Sequence, residues 1–412
     1  MKKVLCIIFA LVMIALSAFS CFAVEPEDLN TYEFDEEYYS RFKGENRVLK
    51  VYNWGEYIST GAEGTIDVIG KFEELTGIKV IYNVYDSNES MYSIIQSGSV
   101  EHDIVIPSDY MISRLIKNDM LAKLNFDNIP NYKYIDSSFK GENSSYDPHD
   151  EYSVPYTWGI TGIIYNKNYV DESDLGSWNI LWNQKYQGKI LMFDNSRDAF
   201  AIAELLVGVS PNTEDPDDIQ KAATKLEEQK SVVQGYVMDQ VFNKMEEENA
   251  WIAPYYCGDY FTMVEKNPNL GFFYPEEGSN LFVDAMCVLK SSKNKDIAEM
   301  FINFMAEPII SAANCETIGY TTPISAAKVY MDEEFATNEI AYPGDDVMGK
   351  TFVFVNLSDE TNDLLDSYWI KIVRVNALSV GFWIVVICVA VLITVFVIIV
   401  LNQRKKRKEL RK

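Results

Sequence analysis

Five short stretches of this chain set an aromatic ring beside a carboxylate. They are Trp54-Gly55-Glu56-Tyr57, Ser108-Asp109-Tyr110, Phe193 with Asp194-Asn195-Ser196-Arg197-Asp198, Tyr256 with Gly258-Asp259-Tyr260, and Phe282 with Asp284. A carboxylate takes an ammonium group through charge-assisted hydrogen bonds. The face of a Trp or Tyr ring attracts the same cation by roughly 0.5–2 kcal/mol. Rings also pack against methylene groups. Carboxylates at opposite ends of a ring-lined slot would therefore hold a linear amine and measure its length. Other chemistry has little to work with. His102 and His149 are the only histidines, too few for a histidine-built zinc site or a Ser-His-Asp triad. The sequence has no C-x-x-C spacing, no phosphate loop and no G-x-S-x-G turn. The formal net charge of −25 argues against nucleic acid and is compatible with a cationic ligand. No enzyme activity and no cofactor are implied.

These side chains need elements to position them. Val48–Asn53 reads as a short buried strand, and 65–76 as a helix with Ile66, Ile69, Phe72 and Leu75 on one stripe and Gly77 as its stop. A strand at 79–85, a helix at 89–97 and a strand at 103–106 follow, with Ser108 or Asp109 capping the next helix. After Pro155 the rhythm restarts: strands at 162–165, 189–193, 250–256 and 282–289, and helices after Phe193, near 219–229 and at 295–305. Alternating strands and helices predict an α/β fold with a mostly parallel sheet. Ligands of such sheets bind beyond the carboxyl ends of the strands, where the ring-and-acid stretches lie. The expected architecture is two lobes around a central cleft, with crossings near residues 158 and 282. Lobe 1 takes 47–158 and 283–333, and lobe 2 takes 159–282 and 334–371.

The two ends read differently. A basic start, an apolar run and small residues up to Ala23 predict a signal peptide over 1–23. Residues 24–46 are acidic and Tyr-rich without a clear period, and read as a mobile leader. Val380–Leu401 carries no charge, so 377–401 is expected to form a transmembrane helix, followed by a basic tail at 402–412. Positive residues stay on the cytoplasmic side. The chain is thus expected to be a single-pass protein of the cell membrane, its binding domain outside and its tail in the cytoplasm. Cys257, Cys287 and Cys315 allow one disulfide and a thiol, or three thiols.

The segments Val51-Tyr-Asn-Trp-Gly-Glu-Tyr57, Thr76-Gly-Ile-Lys-Val80, Asp86-Ser-Asn-Glu-Ser-Met-Tyr92, Val105-Ile-Pro-Ser-Asp-Tyr110, Tyr152-Ser-Val-Pro-Tyr-Thr-Trp-Gly159 and Glu316-Thr-Ile-Gly-Tyr-Thr-Thr-Pro323 are specific together. In them the chain resembles the polyamine-binding proteins of bacterial spermidine/putrescine importers, which have the type II periplasmic-binding-protein fold. The resemblance runs from Val48 to at least Pro323. It implies an extracytoplasmic solute-binding protein that closes two lobes over putrescine or spermidine and serves the permease and ATPase subunits of an ABC transporter. It further implies ligand contacts from Trp54, Glu56 and Tyr57 after the first strand, from Ser108 and Tyr110, from the acid Asp198, from the anchoring acid Asp284, and from Tyr320 in the lid.

The chain departs from the family pattern at further contact positions, and a Gln that the family contributes late in the chain has no clear match. Phe282 and Tyr256 stand where the family has Trp, and Asn195 stands where it has an acid, with Asp194 beside it as a substitute. One acid fewer would suit a diamine such as putrescine. Asp198 falls in the first turn of a helix, which predicts that it stays ionised. Arg197 has no assigned place. On the residues alone an amino-acid or sugar ligand stays open, the former needing Arg197 in the cleft. A surface glycosidase using Asp198 and Asp284 also stays open.

Overall fold

The computed structural model describes residues 28–373, together with Val391. Apart from that residue, the expected signal peptide, transmembrane helix and basic tail lie outside the described residues. β1 (Val48–Trp54) buries Leu49, Val51 and Asn53 on one face and pairs in parallel with β2 (Lys79–Tyr85) and β3 (Ile104–Val105). The helix Val68–Thr76 starts where Asp67 accepts a hydrogen bond from the Gly70 amide at 2.8 Å. It ends where Gly77 turns left-handed at φ 71°. Its buried face is Val68 and Phe72.

Two long strands, β4 (Ser153–Asn166) and β9 (Ser279–Val288), run antiparallel through the middle. β4 begins before Pro155 and not after it. A register shift between Pro155 and Thr157 accommodates the missing amide. Beyond β4 come β7 (Ile252–Tyr256), β5 (Ile190–Phe193) and β6 (Val233–Val237), so the sheet path reads β2-β1-β3-β9-β4-β7-β5-β6. β8 (Leu270–Phe273) and β10 (Thr351–Phe352) pair off this path with β4 and β9. One core gathers Leu49, Phe72, Phe301 and Phe304. Another gathers Trp178, Phe193, Phe200 and Leu226 on the β5–β6–β7 side. A third, around Tyr52, Met111, Trp158 and Val283, backs the centre. This is the two-lobed α/β architecture that the resemblance implied.

The leader is not a mobile tether from residue 28 onward. Asp28–Thr31 and Glu36–Ser40 are helical, and Tyr39 is 1% exposed. Its ring meets Phe304 of the helix Lys295–Met305 at 6.0 Å, and its hydroxyl donates to Glu307 at 2.8 Å. Tyr rings at uneven spacing give no helical period, yet here they bury a surface that period alone could not reveal. Cys257, Cys287 and Cys315 are three buried free thiols. Among the described residues no helix is long and apolar enough to cross a membrane.

Candidate functional site

The strand ends deliver their side chains into one cavity. Asp284 sits on β9, 4% exposed. Its Oδ2 accepts from the Tyr57 hydroxyl at 2.6 Å and its Oδ1 from the Ser108 hydroxyl at 2.7 Å. Ser108 occupies the N-cap position of the helix Asp109–Lys117, but its side chain makes no capping bond there. Asp284 takes that hydroxyl instead. Tyr57 also touches the Thr157 hydroxyl of β4.

Asp198 lies in the first turn of the helix Ser196–Val207. Asn195 caps that helix through its Oδ1 and uses its Nδ2 to donate to Asp198 at 2.8 Å. The Tyr256 hydroxyl donates to the same carboxylate at 2.9 Å. Asp259 opens the helix Cys257–Lys266 and accepts from Tyr320 at 2.9 Å. Gly258 is required there, because any Cβ would run into the Tyr320 ring. Tyr110 donates to Glu89 at 2.8 Å. Rings complete the walls: Phe282 meets Tyr256 at 5.3 Å and Tyr320 at 6.2 Å, and Tyr57 meets Tyr320 at 4.7 Å.

Burial raises these carboxyls, since removal from water disfavours the charged form. Asp198 is pushed up to about 7 and Asp284 to about 6, each held back by its hydroxyl donors. Asp259 lies well above the usual range, again through burial. The expectation that the helix N-terminus keeps Asp198 ionised is therefore corrected: at 6% exposure, desolvation outweighs the helix end. An ammonium group arriving at these acids would restore their charge. Two buried atoms on the cavity wall, Trp54 Nε1 and Asn280 Oδ1, have no hydrogen-bond partner among the described residues.

Of the residues expected from sequence, Trp54, Tyr57, Ser108, Tyr110, Asn195, Asp198, Tyr256, Phe282, Asp284 and Tyr320 all line this cavity. Glu56 does not. Its backbone is left-handed at φ 48°, and its side chain is exposed. Asp194 is also exposed, so it does not stand in for the acid that Asn195 lacks. Arg197, 3% exposed, lies outside the lining. It donates to the Pro211 carbonyl and to Asn212, and stacks over Phe354 at 4.4 Å. An amino-acid ligand would find no cation for its carboxylate, since no Lys, Arg or His lines the cavity among the described residues. Sequence reasoning missed Asn88, Asp239, Phe242, Tyr255, Asn280 and Phe354. Asp259, read from sequence as part of a ring-and-acid strand end, also lines the cavity. Asn280 shares the β9 face of Phe282 and Asp284 by the two-residue period of a strand. Asp239 and Phe354 gave no signal.

Residues 67–343 match the family model of bacterial extracellular solute-binding proteins. The spermidine/putrescine-binding periplasmic protein of Escherichia coli is 32% identical over 300 residues, which cover 73% of this chain and 84% of that protein. A solved structure from Listeria monocytogenes, described as a spermidine/putrescine ABC transporter, aligns with TM-score 0.74 and 35% identity. That alignment covers 79% of this chain and 99% of the other. The substrate-binding protein PotD of a spermidine/putrescine ABC transporter from Streptococcus pneumoniae gives TM-score 0.66 and 34% identity over 79% of this chain and 98% of that one. These relatives correct the expected single-pass placement in the cell membrane. The Escherichia coli relative is named as a periplasmic protein. Fold, cavity and relatives agree that the chain is a solute-binding component of a transport system and not an enzyme; it belongs to the bacterial extracellular solute-binding protein family.

Proposed function

We propose that this chain captures a linear polyamine, putrescine or spermidine, in the cavity and delivers it to the permease and ATPase subunits of an ABC importer. The observation that carries this reading is charge. Four carboxylates, Asp198, Asp239, Asp259 and Asp284, line one aromatic-walled cavity that has no cationic side chain among the described residues. Asp284 and Asp198 receive ammonium groups, while Tyr57, Ser108, Tyr256 and Asn195 hold the two carboxylates in place. Trp54, Phe282, Tyr256 and Tyr320 flank the methylenes. The free Asn280 Oδ1 offers one more acceptor for an N–H. The ligands named for the relatives support the same cargo class. The lobes expected from sequence, 47–158 with 283–333 and 159–282 with 334–371, are the two bodies that close over the ligand.

Calorimetric titration of the full-length protein with spermidine, putrescine, a neutral sugar and an amino acid tests this. Saturable binding of an amine at one site per chain, with no binding of the sugar or the amino acid, is the expected result. Absence of amine binding, together with binding of either other solute, would contradict it.

A further inference from the structure

Three of the four cavity acids have hydrogen-bond donors built in: Asp284 from Tyr57 and Ser108, Asp198 from Tyr256 and Asn195, and Asp259 from Tyr320. The fourth, Asp239, has none among the described residues. Its surroundings are burial and the acids Asp86 and Glu56, all of which raise its pKa. It is placed at the N-cap of the short helix Gln240–Glu246, yet its side chain makes no capping bond. The carboxylate instead lies against Gly55, so close that any Cβ there would overlap its Oδ2. Gly55 follows β1 and Asp239 follows β6, strands set near opposite ends of the sheet path, so the contact crosses the cleft. Beside it, Trp54 Nε1 is buried without a partner on the same cavity wall.

A half-buried carboxylate with no donor and two acidic neighbours is costly unless a cation reaches it. A diamine brings two ammonium groups, and two acids that already hold their donors are enough for them. A triamine brings one more. The acid with the most unmet capacity is the one that gains most from it. Asn195 removes an acid after β5, where the resemblance implied one, and Asp239 supplies a charge after the neighbouring strand β6. Resting on the amine reading of the cavity, the geometry points to Asp239 as the specificity-determining residue that receives the third ammonium group and ranks triamines above diamines. This runs opposite to the putrescine preference expected from Asn195 alone.

Competition titrations of the full-length protein with spermidine and putrescine at neutral pH test the assignment, using wild type, Asp239→Asn, Gly55→Ala and Asp284→Asn. Wild type should favour spermidine. Asp239→Asn should weaken spermidine by about tenfold or more, the scale of one charge-assisted hydrogen bond, and putrescine by less than about threefold. Gly55→Ala displaces the Asp239 carboxylate without removing its charge, and should narrow the spermidine-to-putrescine ratio in the same direction. Asp284→Asn should weaken both amines together. A wild type that favours putrescine, or an Asp239→Asn variant that keeps the wild-type ratio, overturns the assignment and leaves the polyamine reading standing. A wild type that binds neither amine overturns both.

Discussion

Two regions of this molecule use the same chemistry for different ends. In the docked leader, Tyr32 and Tyr39 donate to Glu307 at 3.0 and 2.8 Å. In the cavity, Tyr57, Tyr256 and Tyr320 donate to Asp284, Asp198 and Asp259. Around Glu307 the rings of Phe34 and Phe304 fill the space, and Asn303 closes the network on Tyr39. Around Asp284 and Asp198 the carboxylates keep a face on open volume that is lined by further acids and, among the described residues, by no cation. A tyrosine hydroxyl on a buried carboxylate is thus structural where the space is full; where it is not, the proposed function has the carboxylate receive a cation.

The largest effect should separate the regions outright. Asp284→Asn should lower amine affinity by about a hundredfold or more, because a buried hydrogen-bonded charge loses its partner. Its melting temperature should stay close to wild type. Glu307→Gln should do the reverse, costing about 1–3 kcal/mol of stability with amine affinity unchanged. Paired calorimetric and thermal unfolding measurements check both, and comparable affinity loss in the two variants would erase the distinction.

Acidity gives the next largest effect. Asp198 and Asp284 have folded-state values of about 7 and about 6, above their unfolded value. The empty protein therefore binds more protons than the unfolded chain between roughly pH 4 and 7, so these groups destabilise it as pH rises through that window. Asp109, pushed up to about 8 by burial, acts in the same direction. An ammonium ligand needs the ionised forms. Amine affinity should fall as pH drops from about 8 to about 5, with protons released on binding near neutrality. Titration in buffers of different ionisation enthalpy would show this, and a flat profile would mean that the acids do not meet the ligand.

Smaller effects sharpen the picture. Tyr256→Phe removes one donor from Asp198, so its carboxyl should rise further. Amine affinity should then drop a few-fold at neutral pH and recover at higher pH. Tyr39→Phe, on the leader side, should cost about 1 kcal/mol in unfolding experiments and leave the affinity pH profile unmoved.

Much of the scaffold was legible because its signals are local. Gly77 stops a helix, Phe72 marks a buried stripe, and Lys79–Tyr85 and Lys295–Met305 are found where their patterns place them. The acids at strand ends were legible for the same reason. Non-local contacts were not. Tyr39 meets Glu307 across most of the chain, and Asp239 reaches Gly55 only once the lobes are assembled. Glu56 sits in a run of ring and acid, but its left-handed backbone turns it to solvent. Asp198 shows the limit of a local electrostatic argument: a helix end favours its charge, and the burial created by the whole fold opposes it more strongly.

The most direct test of the central claim is a crystal structure of the full-length protein with spermidine. The account predicts an extended amine inside the cavity, with ammonium nitrogens within hydrogen-bond distance of the Asp284 and Asp198 carboxylates and methylenes against Phe282 and Tyr256. An empty cavity, or spermidine bound elsewhere on the molecule, would contradict it.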